Sequence, residues 1–262
     1  LDSFAQKKII DSSISDGQNI TGDNGKYVRF WWEVAFSDVG RTEKWLPYAK
    51  GGDIRRWYGN MEYVVDWSPS ARAQYRFGSS SRIIPEYLWY RAGITWTLIA
   101  IQQSFRLLPT DSTFDKTGSS IFLESDTDLN FVLAFLNSSV AAMFLKMLNP
   151  TLALQVRDVR NLPLIDLPLR DTIDKNTEEL VRIAQHDWNS FEISSGYKSF
   201  FQDSNHARAT SLQMDWESWQ VCIQTNLDRS RTLEENNNQL FVEAYGLSEQ
   251  VDSKVSESQI TL

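Results

Sequence analysis

Cysteine, histidine and long apolar runs are scarce in this chain of 262 residues, and each scarcity closes off a class of protein. The one cysteine, Cys222, excludes an intrachain disulfide and fits a reducing compartment, so a cytoplasmic location is expected. It sits in an aromatic helical stretch and reads as a small buried hydrophobe. The two histidines, His186 and His206, lack cysteines or carboxylates at metal-ligand spacing and read as solvated surface residues. No stretch approaches the roughly 18–20 apolar residues of a membrane span. The longest, Phe131 to Leu136, is a helix fragment, so no membrane partner is expected. Catalytic signatures are missing too. There is no Gly-x-Ser-x-Gly elbow, and in Lys50-Gly51-Gly52 the lysine precedes the glycines instead of following them as in a phosphate-binding loop. No Gly-x-Gly pattern closes a strand, so neither a dinucleotide nor an S-adenosylmethionine pocket is visible. No catalytic residue, metal ligand or resident cofactor is assigned. The chain starts Leu1-Asp2-Ser3-Phe4, without Met or a secretory signal, and reads as a piece of something longer.

What is present is acid, aromatics and a local excess of cations. The net charge is −8, with ten Trp, nine Tyr and fourteen Phe, most of them expected in the core. The acid is unevenly placed. Residues 1–160 carry 18 basic against 17 acidic side chains, and residues 161–262 carry 8 against 17. Between 41 and 106 there are 10 basic residues and 5 acidic ones. Local charge governs phosphate contact, so that stretch can meet nucleic acid in spite of the total.

The densest signal is the run from Lys50 to Val65, where Arg55, Arg56, Trp57, Tyr58 and Asn60 interleave with glycines. Arginines beside rings can hold phosphates or read guanine, and an amide can serve an adenine edge. Arg72, Arg76 and Arg82 follow on a Ser/Gly-rich stretch that reads as an exposed loop over 68–82. Gly118, Ser119 and Ser120 could let backbone approach a groove. The bland alternative is that the arginines cover a strand edge and the loop is merely solvated.

Strands are expected over 27–34, 63–67, 94–101, 105–108 and 119–123. The i, i+3, i+4 spacing of Leu129, Val132, Leu133, Leu136, Val140, Met143, Phe144 and Met147 predicts one helix to Leu148, stopped by Asn149-Pro150. Gln155 to Leu164 returns to alternation. From Asp171 the chain is acidic and helical, with stripes at 180–191 and 212–227 and a short helix over Thr232 to Tyr245 closed by Gly246. The fold class is α+β. A β-rich domain with a buried helix spans 1–165, an all-helical domain spans 166–248, and a disordered tail spans 249–262.

Several blocks occur in a fixed order. They run from Thr21-Gly22-Asp23-Asn24 and Arg29-Phe30-Trp31-Trp32-Glu33-Val34 through Trp45-Leu46-Pro47-Tyr48 and Lys50 to Val65. Gly93-Ile94-Thr95-Trp96, Phe114-Asp115, Gly118-Ser119-Ser120-Ile121-Phe122, Leu136-Asn137-Ser138, Leu148-Asn149-Pro150-Thr151-Leu152 and Gln155 to Pro163 follow. This set resembles the carboxy-terminal half of the PglX-type adenine-specific DNA methyltransferases of BREX phage-defence systems, relatives of fused restriction-methylation enzymes. The resemblance implies a catalytic domain upstream, with an Asn-Pro-Pro-Tyr motif for the flipped adenine and a site for S-adenosylmethionine. Asn149-Pro150-Thr151 is not that motif, lacking the second proline and the aromatic ring. For this chain the resemblance implies a target-recognition domain on double-stranded DNA, with Lys50, Arg55, Arg56, Arg72, Arg76 and Arg82 leading the contacts. The helical part becomes a spacer or a docking surface for other defence subunits. Two alternatives stand beside it: a protein-interaction module, and an aromatic-rich carbohydrate-binding domain.

Overall fold

The computed structural model describes residues 7–198 and 212–262. His206 therefore lies outside the described residues. In chain order the elements are β1 (Ser13–Ile14), α1 (Asn24–Tyr27), β2 (Val28–Phe30), β3 (Trp45–Ala49), β4 (Tyr63–Asp66), α2 (Pro69–Phe77), β5 (Gly93–Trp96), β6 (Phe105–Leu108), β7 (Thr113–Phe114) and β8 (Ser120–Leu123). The helices α3 (Leu129–Asn137), α4 (Ser139–Leu148), α5 (Val156–Arg160), α6 (Arg170–Trp188) and α7 (Leu212–Ala244) complete the chain. The fold is α+β, with the long helices at the C-terminal end, as the sequence indicates.

Two small sheets share the strands. The first has the order β1-β8-β5-β6 and is antiparallel throughout. The second has the order β2-β4-β3-β7, with β7 parallel to β3. The chain passes from one sheet to the other several times, so its crossing segments converge. β5 and β8 are buried on both faces, which is why Ile94, Trp96, Ile121 and Phe122 read as nearly continuous apolar runs.

Helix α3 is the centre of the larger core. Phe131 to Leu136 are all buried, as a helix apolar on every side must be. Phe131 and Phe135 each lie 5.6 Å from the Phe241 ring of α7, and Phe135 stacks on Tyr245 at 5.7 Å. The C-terminal helices thus share one core with the first 165 residues. A second core of Tyr27, Tyr48, Trp67 and Tyr75 lies under the second sheet.

The structure corrects several local expectations. The single helix to Leu148 is two helices bent by 70°. Ser138 adopts an extended ψ of 157° and its hydroxyl caps α4, accepting from the Ala141 amide. The 68–82 stretch contains α2, because Ser68 caps it and Pro69 takes its first turn. Gln155 onward opens a short helix, with Asp158 accepting the Gln155 amide at 3.1 Å. Residues 212–244 form one uninterrupted helix. Cys222 on it is exposed, not buried. Residues 249–262 are not a loose tail: Val255 is buried, and Lys254 pairs with Glu235 at 2.9 Å. No single described helix is long and apolar enough to cross a membrane.

Candidate nucleic-acid interface

The 50–60 segment is shaped by backbone that favours glycine. Gly51, Gly52 and Gly59 have φ of 82°, 121° and 127°, and Trp57 and Asn60 adopt left-handed φ of 70° and 56°. Such conformations persist only where surrounding contacts enforce them. Here Trp57 pairs with the edge of β6, donating to Phe105 O and accepting from the Leu107 amide, both at 2.9 Å. Buried Asn60 spans the loop, its amide 2.8 Å from Asp53 O.

That path turns the side chains inward. Arg55 makes an ion pair with Asp187 of α6, donates to Tyr58 O at 3.1 Å and lies 5.1 Å from the Trp188 ring. Arg56 Nη1 reaches Glu234 Oε2 of α7 at 2.7 Å, and Trp57 Nε1 reaches the other Glu234 oxygen at 2.7 Å. Burial pushes the Glu234 carboxyl above the usual range, opposed by Arg56 and the Trp57 hydrogen bond. Lys50 Nζ sits 2.5 Å from Asp115, whose other oxygen takes the Thr117 and Gly118 amides. The expectation of an exposed cationic surface is corrected for Lys50, Arg55 and Arg56: each is mostly buried and charge-paired. Trp57 is buried and Tyr58 half-buried.

The remaining predicted residues scatter. Arg72 is half-buried with its guanidinium 5.0 Å over the Trp89 ring. Arg76 pairs with Glu86 at 2.8 Å on the surface. Gly118 does permit close backbone approach, but to the protein itself: a Cβ there would lie 2.4 Å from Ala49 O. Ser119 and Ser120 are buried, and their hydroxyls bond to Lys116 O and Gly118 O.

Arg82 is different. It is exposed, and its main chain is locked to Ile20 at 2.8 and 2.9 Å. It lines a cleft of about 760 Å³ formed where segments 15–18, 82–85 and 116–119 cross between the two sheets. Ser119 borders the same cleft, and so do Lys116 and Arg157. Arg157 approaches its neighbour Asp158 at 3.5 Å yet keeps 83% of its side chain in solvent. Arg82 and Lys116 have no ion-pair partner among the described residues. Asp16, held by the Tyr87 hydroxyl at 2.8 Å, is the acidic group on this cleft. Sequence reasoning passed over Lys116 and Arg157. Lys116 stands on the bend after β7 and Arg157 in the first turn of α5, each a single charge far along the chain from the basic run.

Among the described residues no group of three His, Cys, Asp or Glu is placed to hold a metal. No family model matches the chain. It is 31% identical over 261 residues to the adenine-specific methyltransferase PglX of Lacticaseibacillus casei (strain Zhang), covering 92% of this chain and 22% of that protein. The chain matches a segment of PglX-type adenine-specific methyltransferases. The adenine-specific methyltransferase BrxX of Escherichia coli O9:H4 (strain HS) is 28% identical over 201 residues, covering 74% of this chain and 16% of that protein. The chain thus spans about a fifth of the length of the curated relatives it matches.

Proposed function

We propose that this chain is the DNA target-recognition part of an S-adenosylmethionine-dependent adenine-N6 DNA methyltransferase of a phage-defence system, acting in the cytoplasm. The observation that carries the reading is the cleft between the sheets, where Arg82, Lys116 and Arg157 present charge to solvent from rigid backbone. Three cations fixed around one concavity suit a polyanionic backbone, and phosphate contacts set the register in which bases are read. The names of the matched relatives supply the methylation and the adenine.

Chemistry falls to the catalytic domain of the longer protein. S-adenosylmethionine would supply the methyl group there. The two described cavities in this chain are lined by loops and helix ends, one of them with many aliphatic side chains, and neither has a glycine-rich strand-to-helix turn, so they do not fit that cofactor. This chain's residues hold and orient the duplex. Lys50, Arg55 and Arg56 serve it indirectly, by fixing the loop and the helices around the sheets. The partners in this reading are double-stranded DNA, the methyltransferase domain and other defence subunits. The test is retardation of duplex DNA by the purified chain at low salt. Binding that fades with ionic strength supports the reading. Binding of neutral polysaccharide instead, insensitive to salt, refutes it in favour of a sugar-binding domain.

A further inference from the structure

A second cavity, of about 530 Å³, takes no part in that reading. It lies between the two ends of α4, the 100–103 segment and the C-terminal residues 254–259. Aliphatic side chains flank it. Ile101, 90% exposed, and Leu152 line it, and Ile99 on the same stretch is exposed as well. Their backbone is braced. The Ala100 amide donates to Leu152 O at 3.1 Å, the Leu154 amide to Leu98 O at 2.8 Å, and Ile99 stands opposite Ala153. A braced ribbon cannot fold its isoleucines back under the surface, so this apolar area stays in water until something covers it.

The walls carry a second signal. Arg56 Nε, Gln103 Oε1 and Ser139 Oγ are buried side-chain atoms without a hydrogen-bond partner, and all three residues line this cavity. They are a donor, an acceptor and a hydroxyl. Buried polar groups are nearly always paired, and pairing these atoms, which are closed off from solvent, takes side-chain rotation toward an occupant that offers both donors and acceptors beside apolar side chains. Polypeptide has that chemistry. A duplex does not fit: Arg56 and Lys254 are already paired with Glu234 and Glu235, leaving Lys146 as the free cation among the lining residues.

We propose that this groove seats a polypeptide segment from the remainder of the longer protein, with an aliphatic side chain against Ile101 and Leu152. The relatives extend far beyond the matched region, since it makes up 22% and 16% of them, so most of such a protein lies outside this module and is joined to it as the source of a covering segment. The inference rests on that match and not on the DNA-contact residues.

The test uses the full-length protein with Cys222 and any cysteines outside the 262 residues replaced by Ser, and single probes at Ile101→Cys and Leu152→Cys, against an exposed control, Thr42→Cys. Both probes should react with a maleimide at least tenfold more slowly than the control, at any protein concentration and without DNA. Labelling at the control rate overturns the proposal. Protection that grows with concentration assigns the groove to a second copy, and protection that needs duplex assigns it to DNA; either overturns it. In the unsubstituted protein, amine-reactive cross-linking should join Lys146 to lysines outside the 262 residues. Lys146 cross-linked solely within them is the contrary result. None of these readouts depends on the salt dependence of DNA binding, so the two readings fail separately.

Discussion

Arg56 and Glu234 lie 178 residues apart in the chain and 2.7 Å apart in the fold. The pair joins the loop beside β6 to the middle of α7, and Trp57 completes it from the same loop. A basic residue in the stretch most suggestive of nucleic acid is thereby spent on internal architecture. Arg56→Ala should leave the Glu234 carboxylate buried beside one hydrogen bond, costing about 3 kcal/mol. Urea denaturation of the variant measures this, with a lower midpoint and an unchanged slope expected.

Glu234 also gives a pH prediction. Burial raises its folded-state pKa above the unfolded value, so the folded state holds the proton more tightly. Its contribution to stability is complete below the unfolded pKa and falls away as pH rises through the folded one. Glu234→Gln resembles the protonated form. The variant should match wild type near pH 4.5 and gain on it as pH rises through the raised pKa. Denaturation midpoints across that range check the sign; a variant that loses ground with rising pH contradicts it.

Gly118→Ala should destabilise through backbone, since the added methyl would clash with Ala49 O of β3 and the turn holding Gly118 is pinned by Asp115. Overpacking of this kind costs about 1–3 kcal/mol. A thermal scan should show the loss, with no change in the salt dependence of DNA binding.

Ser138→Ala removes the cap of α4 at the bend after α3. About 1 kcal/mol should be lost. Ser138→Asn, another capping residue, should lose less, which separates the cap from simple loss of packing volume.

The legible parts of this fold were those fixed by local chemistry. β5 and β8 show as apolar runs with β-branched residues, β6 as Phe and Leu around Arg106, and α3 as an apolar helix, because such side chains need burial wherever they are placed. Over 68–82 the serines and glycines suggested a loop, while Ser68-Pro69 carried the cap and first-turn signal that opens α2. The site was less legible for a different reason. Whether a guanidinium faces solvent depends on distant carboxylates: Asp187 for Arg55 and Glu234 for Arg56 lie 132 and 178 residues away. Nothing near position 55 records them. Lys116 and Arg157 were missed because single charges, one on a bend and one on a short helix, form a cluster only once the sheets cross.

The most direct measurement is the slope of log affinity against log salt for duplex DNA, compared between wild type and the Arg82→Ala, Lys116→Ala, Arg157→Ala triple variant. Each lost phosphate contact should lower the slope by about 0.9, so a reduction of about 2–3 is expected. Circular dichroism should meanwhile show an unchanged fold, because all three side chains are exposed. A triple variant with wild-type affinity and slope would contradict the assignment of DNA to the cleft between the sheets.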